Sequence, residues 1–273
     1  EACWGLKERA WLAAAPVVAL ALLEAALGLA QYFSNQPGGV AHGTYVNRNH
    51  FAGFLEMGLA LAFGLGIERR RTHRTPRGAA AIVAGTVILA GIVHSLSRMG
   101  FTAALAGLAA GMAAMMGKKA LVCGAAAALA LFVYLPPDRL IARFAELASS
   151  EEITADQRVQ IWRETLALTS SYRVFGCGMG GYKSAFLKHK RVAPMNTVDY
   201  AHNDHLQIPA ELGWAGWGLC LAAGMGVFRK AGAKPATLAA LAAIGLHSLV
   251  DFNLYIPANA MTVAWVAGMA ASD

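Results

Sequence analysis

Two histidines, an asparagine and an aspartate stand together at His202, Asn203, Asp204 and His205, and the chain turns apolar within a few residues of them. An imidazole ordinarily titrates near ~6.5, so histidine is the side chain best suited to taking up a proton at neutral pH. In this reading His202 is a general base, Asn203 or Asp204 orients its ring or binds a hydroxyl, and His205 is a secondary candidate on the same helix face. The pair also raises zinc. His202 and His205 come without an HExxH pattern or a cysteine partner, and Glu211 is distant in sequence, so the spacing argues against a metal. Two arginines, Arg98 and Arg158, occupy comparable settings beside apolar runs. Guanidinium forks pair bidentately with phosphate oxygens, so the three side chains together suit a phosphorylated substrate whose reaction needs a base.

The elements that must position these groups are membrane helices. The chain is 57% hydrophobic and 14% charged, whereas roughly 25% of an ordinary soluble domain is charged. Apolar runs near the ~20 residues that span a bilayer recur at about 11–33, 51–67, 79–96, 101–116, 120–135, 206–228, 236–250 and 256–271. The expected fold is an all-α, polytopic transmembrane bundle of about eight spans with a partly helical extracytoplasmic loop. Residues 1–135 form the first transmembrane half, 136–205 the long loop and 206–273 the last spans. A net charge of +7 does not indicate nucleic acid, because the bases cluster in short loops and form no stripe or known motif. Loops rich and poor in Lys and Arg alternate along the chain. By the positive-inside rule the N-terminus is cytoplasmic, and loops 34–50, 97–100, 136–205 and 251–255 face outward. Glu24 reads as the only clear mid-span acid. The four cysteines are scattered, and only Cys177 lies outside on this topology, so no intramolecular disulfide is expected there.

Every unusual polar cluster falls on that outer side. Arg48, Asn49 and His50 open the second span and are candidate substrate-binding residues, with an N-cap by Asn49 as the plainer alternative. Arg98 lies between two spans, where a guanidinium costs up to ~2.5–3.5 kcal/mol at span centre. Its outer location disfavours simple snorkelling and favours binding of a phosphate. Thr154 to Gln157 reads as a capping box opening a helix to about Thr169, on which Arg158, Ile161, Trp162, Thr165 and Leu166 share an apolar face. Gly176 to Tyr182 contains a G-x-G-x-x-G without a preceding strand or a βαβ unit, so it is a tight turn before a helix and not a dinucleotide site. Tyr182 is a candidate sugar contact, with packing as its plainer role. Asp251 lies between the last two spans as a substrate-binding candidate. Capping of the final helix, or pairing with an outer arginine, is the plainer reading there.

His202-Asn203, nine residues, Gly213, two residues and Gly216 resemble the signature of the O-antigen ligase and Wzy-type polymerase superfamily. The segments 43–60, 95–100, 156–182, 200–216 and 247–258 are similar to that family as well, so the resemblance extends from about Gly43 to the end. It implies a metal-independent, cofactor-free membrane glycosyltransferase. Its donor would be a glycan on undecaprenyl diphosphate and its acceptor a hydroxyl, with His202 as base and Arg98 and Arg158 on the diphosphate. It also implies further spans ahead of Glu1, since members usually have ten or more. A ligase acting on a lipid A-core sugar is favoured over a polymerase or a protein O-oligosaccharyltransferase. A transporter is the alternative from another class. It would place polar residues on a mid-membrane path between repeats, and the sequence has no internal repeat.

Overall fold

The computed structural model describes residues 2–34, 39–73, 76–117, 155–191 and 198–272. The span expected at 120–135, the short helix expected within the long loop, and the capping residue Thr154 lie outside these. The described residues form helices and turns, with no strand among them. The helices are α1 (Ala2–Ser34), α2 (Arg48–His73), α3 (Pro76–His94), α4 (Arg98–Met116), α5 (Ala155–Ser171), α6 (Tyr182–His189), α7 (Asp204–Ala231), α8 (Pro235–His247) and α9 (Pro257–Ala271), with a 3-10 turn at Asn253–Tyr255. Among the described residues, three segments are long and apolar enough to cross a membrane: Trp11–Ser34, Pro76–His94 and Arg98–Met116. Pro235–His247 is apolar but shorter.

α2 is the central helix. From Phe51 to Ala62 every residue is buried, and α1, α3, α4 and α8 pack around it. Small residues set the distances. Gly107 and Gly111 of α4 lie against Ala239, Ala243 and Pro235 of α8, so close that a methyl group on either would collide with backbone. In a membrane, where burial of apolar surface gives helices little reason to associate, such contact is a main source of packing energy. The antiparallel register of α4 on α8 carries the first turn of α4, with Arg98, to the level of the α8 C-terminus. α2 runs antiparallel to α8 as well, with Gly64 at Ala236 and Glu56 at His247.

The span reading needs one correction. Glu24 is not alone, because α2 carries a second acid, Glu56. Glu56 is fully buried and pairs with fully buried His247, Nδ1 to Oε2 3.2 Å. Glu24 itself has a local partner. The segment after α1 folds back beside it, and Thr44 donates to the Glu24 carboxylate from its backbone N–H (2.9 Å) and its hydroxyl (2.7 Å). Gln31 Nε2 donates to the Gly43 carbonyl (2.8 Å), so two α1 side chains hold this returning strap.

α5 and α6 form a second apolar cluster with the start of α7, built from Ile161, Leu168, Tyr182, Phe186, Ala201 and Ala210. Leu166, expected on the docked face of α5, is 48% exposed, and Thr165 and Thr169 are buried in that face with Ile161 and Leu168. Their hydroxyls donate to backbone carbonyls one turn earlier, which lets them sit among apolar side chains.

Candidate active site

α8 ends at His247, and the chain turns through Ser248 to Phe252 before the 3-10 turn. The turn is fastened by Asp204, whose backbone N–H donates to the Ser248 carbonyl (2.9 Å) and the Asp251 carbonyl (3.2 Å). The Asp204 carboxylate accepts from Leu254 N–H at 3.0 Å. These contacts hold Asp251, 2% exposed, between two imidazoles. His50 Nε2 is 3.4 Å and His202 Nδ1 is 3.7 Å from the same oxygen, Oδ1. This replaces both plainer roles expected for Asp251, since the residue before the final helix is Ile256 and the partners are histidines.

His50 comes from the first turn of α2. The cap there is Asn47, whose Oδ1 accepts from Asn49 N–H at 2.7 Å, so Asn49 receives the cap and does not supply it. The carbonyl of His50 accepts from Asn259 Nδ2 (3.0 Å), and Asn259 is fixed by Asn253 Oδ1 (2.9 Å) and by the Tyr45 hydroxyl (3.0 Å). His202 lies before α7, not on it. Asn203 is the N-cap, its Oδ1 accepting from Leu206 N–H at 3.2 Å. The expected shared helix face of His202 and His205 is therefore absent, and His205 Nε2 approaches the Gly245 carbonyl of α8 at 3.4 Å.

His202 has a φ of +50°, in the left-handed region that β-carbons disfavour. The only other such non-glycine residue among the described ones is Leu96 (φ +56°), two before Arg98. Strain of this kind persists where neighbours enforce it. At His202 they do: Trp162 Nε1 donates to the Ala201 carbonyl (3.0 Å), and Ala201 N–H donates to Gln207 Oε1 (2.8 Å). Both backbone groups before the histidine are pinned, and Asn203 is pinned after it. Phe252 completes the setting. Its ring meets those of His50 and His202 edge-on at 4.5 and 4.8 Å and stacks on Tyr200 at 4.2 Å. One aromatic ring thus orients both imidazoles toward Asp251.

The two carboxyls are driven apart. Burial alone would raise Asp251, but the His202 and His50 imidazoles outweigh it and hold the group well below the ordinary carboxylate range. Asp204 is raised to about 7 by burial, with the charge of Asp251 adding to it and the hydrogen bond from Leu254 N–H opposing. Seven buried polar atoms without hydrogen-bond partners among the described residues belong to this neighbourhood: His50 Nε2, His202 Nδ1, Asp204 Oδ1, Ser248 Oγ, His247 Nε2, Glu56 Oε1 and Asn253 Nδ2.

Arg158 stands one turn before Trp162 on α5, so the clamp on Ala201 also brings its guanidinium inward. Its Nε is buried without a hydrogen-bond partner among the described residues, and its charge is felt by His247. Arg98 is the exposed first residue of α4, behind the N-cap Ser97 whose Oγ accepts from Gly100 N–H at 3.2 Å. Gly100 lies against Ala52, two residues after His50. Arg48 is half-buried in the first turn of α2. Tyr182 is buried, its hydroxyl 2.7 Å from Thr165 Oγ1, so it joins α6 to α5 and presents no face to a ligand. Among the described residues no group of three or more His, Cys, Asp or Glu is arranged to hold a metal ion.

Sequence reasoning missed Phe252, Trp162 as a clamp, Asn259 and the Glu56–His247 pair. Only the second had a usable signal, an aromatic four residues after Arg158 on the docked face.

The family model described as O-antigen ligase matches residues 82–221, 140 of the 273 in the chain. The match takes in Arg98, Arg158 and His202, and leaves His50 and Asp251 outside it. Comparison with curated proteins finds no match.

Proposed function

Because the chain belongs to the O-antigen ligase family, we propose that it transfers a glycan from undecaprenyl diphosphate to a hydroxyl of a lipid A-core sugar, on the outer face of a bacterial inner membrane. The observation that carries this reading is a strained, clamped His202 set against buried, ionised Asp251, with Arg158 on the helix that does the clamping. His202 takes the proton of the acceptor hydroxyl as its oxygen attacks the anomeric carbon. The new glycosidic C–O bond forms as the bond to phosphate breaks, and the electron pair leaves with the diphosphate. One displacement inverts the anomeric configuration. Asp251 stabilises the imidazolium that forms, and His50 shares that carboxylate. Arg158 and Arg98 hold the diphosphate and neutralise its growing charge, a contribution typically worth about 10²–10³ in rate for one donor. Arg48, at the same end, is a further phosphate contact. The full arrangement of about eight spans, with this end outward, belongs to the same proposal.

The test is release of the diphosphate carrier in proteoliposomes holding the lipid-linked glycan and a hydroxyl acceptor, with chelator present. His202→Asn is the informative variant, because asparagine tolerates a positive φ and leaves the backbone in place. We expect release by the parent and a loss of roughly 10²–10⁴-fold in the variant. Equal release by both removes His202 from the chemistry.

A further inference from the structure

α7 is broken at Gly213, where φ is +69° and ψ 178°. A break leaves the N–H groups that follow it and the carbonyls that precede it without helical partners, and the turn after α5 supplies them. Trp214 and Ala215 N–H donate to the carbonyls of Arg173 (2.8 Å) and Val174 (3.3 Å). In return, Cys177 and Gly178 N–H donate to the carbonyls of Ala210 (2.9 Å) and Glu211 (3.0 Å).

The Glu211 side chain, 1% exposed, lies at the centre of this joint. Its Oε2 accepts from Gly180 N–H at 3.1 Å and from the Tyr255 hydroxyl at 3.0 Å, and its Oε1 accepts from Tyr182 N–H at 3.3 Å. A buried carboxylate is costly unless it is fully hydrogen-bonded, and here three donors from two segments satisfy it. Both segments, and Glu211 itself, lead to the site. Tyr182 reaches α5 through Thr165, and α5 carries Arg158 and Trp162. Tyr255 ends the turn that begins with Asp251 and Phe252. Glu211 itself rides on the half of α7 that begins beside His202.

We propose that Glu211 is a positioning residue for the transfer reaction: its carboxylate sets the spacing between the Arg158-bearing segment and the His202–Asp251 pair, without touching substrate. The inference rests on the transferase reading above. Its chemistry is that of a shared acceptor. With Glu211→Gln the amide –NH2 faces donors on one side or the other, so at least one of the three links is lost while the volume is kept. Glu211→Asp keeps the charge and withdraws it by one methylene. Tyr255→Phe removes one donor and nothing else.

Initial rates of carrier release against donor concentration, with thermal unfolding to confirm the fold, decide the matter. A misplacement of about 1 Å can cost about 10²-fold, so Glu211→Gln is expected to lower kcat by roughly that factor with donor KM within about threefold of the parent. Tyr255→Phe is expected to lower kcat less, and the double variant to fall no further than Glu211→Gln alone, because both act at Oε2. Folded Glu211→Gln with parental kcat overturns the proposal, as does a loss confined to KM. If Glu211→Gln does not fold, Tyr255→Phe decides: a parental kcat in that folded variant overturns it. Absence of release by the parent itself sinks the transferase reading, and this inference with it.

Discussion

His202 and Asp204 are two residues apart, yet one is strained in the backbone and the other in its protonation. The Asp204 case gives a pH prediction with a definite sign. Its carboxyl is raised in the fold to about 7, against about 3.9 in an unfolded chain. Its contribution to stability is therefore fully present below about pH 3.9 and is lost as pH rises through about 7. Asp251 behaves oppositely: held low by its imidazoles, it stabilises the fold above about pH 3.9 and loses that contribution as pH falls through its lowered value. Asp204→Asn keeps an acceptor for Leu254 N–H and removes the titration. The variant should match the parent near pH 3.5 and exceed it at pH 8 by an amount on the order of 4 kcal/mol. Thermal midpoints in detergent at the two values check this, and a constant gap would mean that Asp204 is not the group that titrates. Burial and charge at single residues are what sequence conveys least. The quartet at 202–205 is conspicuous by composition, but the partner that gives it chemistry, Asp251, lies 49 positions beyond His202 and arrives by a helix turn no local pattern encodes.

Elements were more legible than residues, and the exceptions have physical causes. Apolar runs located α1 to α4 and α7 to α9, because a long helix of small and apolar residues announces itself by composition. The returning strap at 39–47 was not legible, since it depends on Thr44 finding Glu24 across 20 positions. The break in α7 was half legible. Gly213 and Gly216 were singled out for their spacing, but the stretch 206–228 reads as one continuous apolar run, so only the backbone angles reveal why a glycine is needed. A β-carbon at Gly213 would sit 2.0 Å from the Val174 carbonyl oxygen and 2.5 Å from Phe175 N, in a conformation with φ of +69°. Strain and collision act together, so Gly213→Ala should cost at least about 2 kcal/mol. That loss would appear as a lowered melting midpoint and a reduced monodisperse peak on size exclusion. The joint it disrupts carries the α5–α6 segment, so the loss of activity should exceed the loss of folded protein. Gly213→Ala with parental melting would show that the break does not depend on this glycine.

At the scale of the molecule the two ends of the bundle differ in kind. One end gathers the start of α2, the start of α4, the start of α7 and the end of α8, and with them His50, Arg98, His202 and Asp251. The other end has Lys230 and Lys234, whose ammonium groups donate to the last carbonyls of α9, at Ala271 (3.2 Å) and Met269 (2.9 Å). α7 runs from Asp204 at the first end to Ala231 at the second, broken at Gly213. Lysines on helix C-terminal carbonyls are stabilising in themselves, and the transferase proposal takes that end as cytoplasmic, as the positive-inside rule expects. On that proposal the polar cluster faces outward, where an already activated lipid-linked donor would be the available substrate. Orientation can be measured without any activity. With all four native cysteines replaced by serine, a single cysteine at Met179, 81% exposed in the Gly-rich turn, reports one end, and one at exposed Arg229 reports the other. A membrane-impermeant maleimide should label Met179→Cys in intact spheroplasts and Arg229→Cys only after permeabilisation. The reverse pattern would put the His202 end in the cytoplasm, where the transferase proposal loses its substrate supply and the charge pattern of the loops loses its meaning.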